Sequence, residues 1–150
     1  MEQWNRGFEK AKCDPLYGKG QQLQSQKQLQ AALDAFLELE RKMPHVPQLS
    51  RRIGAIYLEL SQLELAVEYF SKAIQLWPTY EKASRGLFLA LAEAGRDDDA
   101  WNEASRFLAL VEQIPKEYEL MLMEAGGEIT GEEFDRLAAE IDAHKIGEVK

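Results

Sequence analysis

Residues 53–78 read IGAIYLELSQLELAVEYFSKAIQLWP, and their apolar positions fall into two stripes of helical period. Ile53, Ile56, Tyr57 and Leu60 make the first stripe; Leu63, Val67, Phe70, Ile74 and Trp77 make the second. Apolar residues three and four apart predict two amphipathic helices. Ser61 and Gln62 lie between the stripes, where a short turn belongs, and Pro78 closes the second helix because its ring cannot continue one. The stretch therefore reads as an αα-hairpin. Gly54 in the first helix and Ala66 in the second carry little bulk, which lets the backbones approach to the close end of the ~8–10 Å helix-packing range. A glycine inside a helix costs ~1 kcal/mol relative to alanine, so Gly54 implies a packing reason.

The same residues return at a fixed step. Thirty-four residues earlier, Gly20 falls under Gly54, Ala32 under Ala66, Phe36 under Phe70 and Pro44 under Pro78. The spacing of Ile53, Gly54, Tyr57, Ala66, Phe70, Ala73 and Pro78 resembles the tetratricopeptide-repeat pattern, with Ser50 in place of that family's early Trp. Leu16 and Leu23 take the early-Trp and Tyr slots of the first unit. Stepping forward places Leu87 under Ile53, Gly95 at the turn and Ala100 under Ala66. There the pattern bends: Phe88 fills the glycine slot, and Ala104 and Phe107 reverse the large and small residues of Phe70 and Ala73. Bulk has moved across the helix interface, an exchange that packing tolerates when total volume is kept.

The resemblance implies an all-α, tetratricopeptide-like solenoid of antiparallel helical hairpins with right-handed superhelical stacking. Its units span residues 13–46, 47–80 and 81–114, preceded by an N-terminal segment, 1–12, in which Trp4 and Phe8 lie one helical turn apart and cover the first unit. Residues 115–150 show no repeat register and read as C-terminal capping helices. One runs from Pro115 to Ala125 and is stopped by Gly126 and Gly127; the next opens on a capping box at Thr130-Gly-Glu-Glu133, continues to about His144, and turns Phe134, Leu137 and Ile141 toward a neighbour. A stacked array needs such a polar cap at its open end.

Charge is unevenly placed. Residues 1–46 carry 7 Lys+Arg and 6 Asp+Glu, residues 47–114 carry 7 and 10, and residues 115–150 carry 4 and 10, for a net −8 over 150 residues. A surplus of acid opposes the basic stripe that phosphate binding requires, which argues against a nucleic-acid partner. No apolar run reaches the roughly 20 residues of a membrane helix, and Met1 to Lys12 has no apolar signal-peptide core. Cys13 is the one cysteine and cannot close an internal disulfide. The expectation is a soluble, cytoplasmic protein with no membrane partner.

The residue types of catalysis are present but not arranged for it. His45 sits between Pro44 and Pro47, His144 ends a helix, and neither has the Cys, His or carboxylate spacing of a metal site or a triad. Adjacent Glu132 and Glu133 diverge on a helix and suit its first turn electrostatically. Asp97-Asp98-Asp99 lacks the alternating ligands and closing Glu of a calcium loop and reads as an acidic helix start after Gly95. There is no phosphate-cradling glycine loop. No enzyme, cofactor or metal is expected.

The resemblance implies instead that the first helix of each unit lines a concave groove for a peptide or helix of a partner protein. By register that groove would show Tyr17, Gln21 and Gln24, then Arg51, Arg52, Ala55 and Leu58, then Lys82, Arg85 and Leu89. Four cations would meet there to hold a carboxylate or acidic segment through charge-assisted hydrogen bonds, with Leu58 and Leu89 seating an apolar side chain. Glu59, Glu81 and Glu93 lie near enough in sequence to neutralise them. Where the family's chaperone-tail binders carry a Lys, Asn, Asn, Lys, Arg clamp, this chain has Tyr17, Gln21, Arg52, Lys82 and Gly86, so only Lys82 agrees and chaperone tails are disfavoured. Trp101 is expected in the core, and Trp77, just before Pro78, at an exposed contact surface. The functional reading is an adaptor or chaperone that binds another protein. A secretion-type chaperone and an immunity protein neutralising a basic toxin are the alternatives.

Overall fold

In a computed structural model, residues 2–128 and Ala139 are described. Among the described residues there are eight α-helices and no strand: α1 (Glu2–Cys13), α2 (Pro15–Ser25), α3 (Leu29–Lys42), α4 (Pro47–Glu59), α5 (Leu63–Leu76), α6 (Glu81–Glu93), α7 (Asp97–Leu110) and α8 (Lys116–Glu128). Helices α2 and α3, α4 and α5, and α6 and α7 pack as hairpins, and α3 and α5 also pack on the first helix of the hairpin that follows. The starts of α3, α5 and α7 are spaced 34 residues apart, as are those of α4 and α6.

Each hairpin turns in the same way. Lys27, Ser61 and Gly95 have φ of 60°, 58° and 75°, the left-handed region, again at a 34-residue step. One residue further on, the N–H groups of Gln28, Gln62 and Arg96 donate to the carbonyls of Leu23, Tyr57 and Leu91 at 2.9, 2.9 and 2.8 Å. This is the Schellman geometry, which satisfies carbonyls that the helix end leaves free. Proline follows the outer ends of the first two hairpins: α3 stops at Lys42 and α5 at Leu76, two residues before Pro44 and Pro78. The acidic run Asp97-Asp98-Asp99 opens α7, with Asp99 paired to Arg96 at 2.9 Å.

The small residues sit where the helices meet. A Cβ built on Gly20 of α2 would lie 2.7 Å from Cζ of Phe36 in α3, and one on Gly54 of α4 would lie 3.1 Å from the Phe70 ring in α5. Phe36 and Phe70 are almost wholly buried, and burying a phenylalanine is worth ~1.5–3 kcal/mol. A Cβ on Gly86 of α6 would overlap the same ring, so Phe70 meets glycines of its own and of the next hairpin. In the third hairpin Phe88 and Ala104 are both wholly buried, and Phe88 meets Trp101 edge-on at 5.1 Å. Trp101 is a core residue, as expected.

The C-terminal end differs from the sequence reading in two ways. Helix α8 continues through Gly126 and Gly127 to Glu128 and is not stopped at Ala125. Its buried residues Tyr118, Met121 and Leu122 stand 34 positions beyond buried Ser84, Leu87 and Phe88, so the register persists past residue 114. Tyr118 stacks on Phe107 of α7 at 4.4 Å. The Ser84 hydroxyl donates to Oε2 of Glu103 at 2.6 Å and accepts from the Tyr118 hydroxyl at 2.9 Å. Arg106 donates to both carboxylate oxygens of Glu103 at 2.7 Å and to the Pro78 carbonyl at 2.9 Å. This chain of bonds satisfies a carboxylate that is only 7% exposed and ties α6, α7, α8 and the α5–α6 turn together. The expected capping box at Thr130, the stripe of Phe134, Leu137 and Ile141, and His144 lie outside the described residues.

Candidate functional site

Helix α1 sets the geometry of the face expected to bind. It touches both α2 and α4. Ala11 is wholly buried, and the Gly7 backbone comes close enough to Val46 that a Cβ would meet its Cγ2 at 3.4 Å. Phe8 lies edge-on to Tyr17 at 5.8 Å, and Tyr17 is edge-on to Phe36 at 5.8 Å. Phe8 thus does cover the first hairpin. It also takes Tyr17 out of any binding surface, because that residue is only 5% exposed.

Between α1 and the first turns of α4 and α6 is a cavity of about 480 Å³. Asn5 and Phe8 wall it from α1; Gln48, Arg51 and Arg52 from α4; Trp77, Thr79 and Tyr80 from the α5–α6 turn; and Glu81 and Lys82 from α6. Trp77 is half-buried, in place of the exposed position expected for it, and stacks on Tyr80 at 4.3 Å with 18° between the rings. Arg51 Nε donates to the Tyr80 hydroxyl at 3.3 Å, which steadies the guanidinium without neutralising it. Arg52 donates to Oε1 of Gln24 at 3.2 Å and spreads over the rings of Tyr17 and Phe36, 5.4 and 5.6 Å from their centroids. Among the described residues no carboxylate pairs with Arg51, Arg52 or Lys82.

The remaining expected residues divide. Arg85 is neutralised by Glu81 at 2.6 Å and does not join the free cations. Gln21 and Gln24 edge a shallower hollow of about 280 Å³ with Arg52 and Glu59. Leu58 is half-buried and packs against the core. Leu89 is exposed but faces a different cavity, of about 470 Å³, between α6 and α8 with Phe88, Met121 and Ala125. Gly86, one of the clamp slots, is spent on packing against Phe70.

Asn5, Phe8, Gln48 and Tyr80 were not singled out as a site by the sequence reading. One signal for Gln48 existed: it stands 34 residues before Lys82. Among the described residues no group of three or more His, Cys, Asp and Glu could hold a metal, and no helix is long and apolar enough to cross a membrane. His45 is exposed in the α3–α4 turn and Cys13 is an exposed free thiol.

No family model matches the sequence, and no curated protein matches it. Solved structures do match in fold. A crystal structure of MamA aligns with a TM-score of 0.68 at 14% identity over 97% of this chain and 86% of its own. Another MamA structure gives 0.58 at 22% identity over 60% of this chain, and there the aligned part spans about half, 49%, of the MamA chain. The first TPR of Spaghetti (RPAP3), bound to the HSP90 peptide SRMEEVD, gives 0.60 at 18% identity over 90% of this chain and 91% of its own. The all-helical architecture is that of the tetratricopeptide-repeat solenoids.

Proposed function

We propose that this chain, with its tetratricopeptide-repeat fold, is a protein-interaction module that holds a segment of a partner protein against the face of α2, α4 and α6, with Arg51, Arg52 and Lys82 as its cationic centre. One observation carries the reading: three cations without a carboxylate partner surround a single cavity in a chain of net charge −8. Cations left unpaired beside aromatic walls attract a carboxylate more strongly than the same charges do in open water. A similar structure that holds a chaperone peptide supports a peptide as the class of ligand. Chaperone tails themselves remain disfavoured, since the clamp slots Tyr17 and Gly86 are committed to packing.

A cationic cavity suits an acidic segment, which favours an adaptor or chaperone over an inhibitor of a basic toxin. Nothing in the arrangement supplies a nucleophile with its base, so we read the module as a binder and not an enzyme. The test is calorimetric titration of the full chain with short acidic and basic peptides. An acidic peptide is expected to bind, and Arg51→Glu/Lys82→Glu to weaken it about tenfold or more with circular dichroism unchanged, since losing ~1.4 kcal/mol is a factor of ten. Unchanged affinity in that variant, or preference for the basic peptide, would contradict the reading.

A further inference from the structure

We infer that the cavity between α6 and α8 is a second docking site, which takes a partner segment carrying a Lys or Arg beside a bulky apolar side chain. It lies at the far end of α6 from the cationic cavity and carries the opposite charge. Lys82 and Glu93 mark the two ends, ~16 Å apart along the helix. The inference goes beyond the acidic segment proposed above and does not depend on it.

The 34-residue register shows how this cavity arises. Leu58 of α4 packs against the core, and Leu91 of α6 is buried. At the same slots one unit further on stand Ala92 and Ala125, and both line the cavity. Each exchange leaves out an isopropyl group, so this junction keeps a hollow of about 470 Å³. Two more slots change in character. Half-buried Leu63 and wholly buried Ala90 give way to Asp97 and Glu124, both exposed on the rim. With Glu93 they place three carboxylates around a floor of Leu89, Ala92, Met121 and Ala125. Among the described residues no cation pairs with any of the three.

Floor and rim together select the ligand. A bulky apolar side chain fits a hollow of this size, and the floor gives it apolar neighbours. Leu89, now 44% exposed, would be covered by it. Three like charges around an apolar floor repel one another, and a ligand cation relieves that repulsion while making charge-assisted hydrogen bonds. An acidic segment is repelled. An apolar side chain alone leaves the carboxylates unanswered, and an inorganic cation alone leaves the floor wet. Lysine or arginine beside tryptophan, phenylalanine or leucine answers both.

The test uses the full chain and a fluorescein-labelled peptide, Gly-Lys-Trp-Leu-Lys-Gly, read by anisotropy. A form with Gln for Lys and a form with Ala for Trp and Leu are the controls. The first peptide is expected to bind and each control to bind about tenfold more weakly. Ala92→Leu restores the leucine of the preceding junction, and it and Glu93→Gln/Glu124→Gln are each expected to weaken the peptide about tenfold. Arg51→Glu/Lys82→Glu is expected to leave it within about twofold, because the two cavities are separate. If Ala92→Leu loses helix by circular dichroism, the Gln variant decides alone. Equal binding of either control, full affinity in the Gln variant, loss in Arg51→Glu/Lys82→Glu, or no binding of the first peptide would overturn the inference. So would either rival occupant. The chain's own C-terminus carries Lys145-Ile146 and Val149-Lys150, and tighter binding in Lys145→Glu/Lys150→Glu would identify that tail as the occupant. Self-association in light scattering that the peptide reverses would identify a second copy.

Discussion

At the residue scale the fold turns on Phe70 and the two glycines that meet it. Gly54 and Gly86 approach the ring from α4 and α6, and a methyl group is too large for the second of these positions. Alanine is the better helix former by ~1 kcal/mol, yet overpacking a filled interior costs ~1–3 kcal/mol. Gly86→Ala is therefore expected to lower the unfolding free energy by ~1–2 kcal/mol. Gly18 makes the control, since a Cβ there meets nothing within 4 Å. Gly18→Ala is expected to raise stability by ~0.5–1 kcal/mol through helix propensity alone. Urea denaturation of both variants checks the pair, and a stabilised Gly86→Ala would contradict the packing described. The sequence makes part of this legible. Gly20 and Gly54 recur in phase and face the aromatic residue of their own hairpin. Gly86 does not, because its register slot holds Arg52 and Gly18 in the earlier hairpins and its contact is with the preceding hairpin. A recurrence scan finds contacts that repeat, not the single contact on which one junction depends.

At the scale of the element, the turn at Lys27, Ser61 and Gly95 is a local solution used three times. Only the third hairpin uses glycine, and an L-residue in the left-handed region costs ~1 kcal/mol. Ser61→Gly is expected to stabilise the chain by ~0.5–1 kcal/mol, and Gly95→Ala to destabilise it by about the same amount. Thermal unfolding of the two variants measures this, and shifts in the same direction would be inconsistent with the observed φ values. Gly95 and Ser61 were readable as turn residues from composition, whereas Lys27 was readable only by stepping back 34 positions from them. The ends of the array were less legible. At α8 the register continues, but Leu122 stands where Gly54 stands in the second hairpin, so the small-residue signature is gone. At α1 the sequence shows an aromatic pair one turn apart, while the contact that matters, Gly7 on Val46, joins residues 39 apart with no repeat to reveal it.

At the scale of the whole molecule, hairpins that touch mainly their neighbours make stability a sum of local terms and junctions. Two tyrosines report on those junctions at high pH. Tyr69 on α5 is pushed up to about 12 by burial and then by the nearby carboxylate of Glu40, and Tyr118 is raised further, chiefly by burial between α6 and α7. In the unfolded chain both ionise near the usual value of 10. Above that pH the unfolded state binds fewer protons than the folded one, so their contribution is complete below about pH 10 and declines as pH rises toward about 12. Denaturation midpoints from about pH 9 to pH 12 should fall, and Tyr69→Phe should flatten the fall. Parallel curves for the two proteins would count against a half-buried, neutral Tyr69.

The proposed binding face was only half legible at this scale. Register alone finds Arg51, Arg52 and Lys82, but the cavity that unites them needs α1 folded over α4 and the Trp77–Tyr80 stack beside it. Arg85 fell out because Glu81, one helical turn away, holds it. The most direct measurement is hydrogen exchange of the full chain with and without a bound acidic peptide. The account predicts slowed exchange confined to α1, the first turns of α4 and α6, and the 77–80 turn. Protection that falls instead on α3, α5 and α7, or on no segment while the peptide is bound, would contradict it.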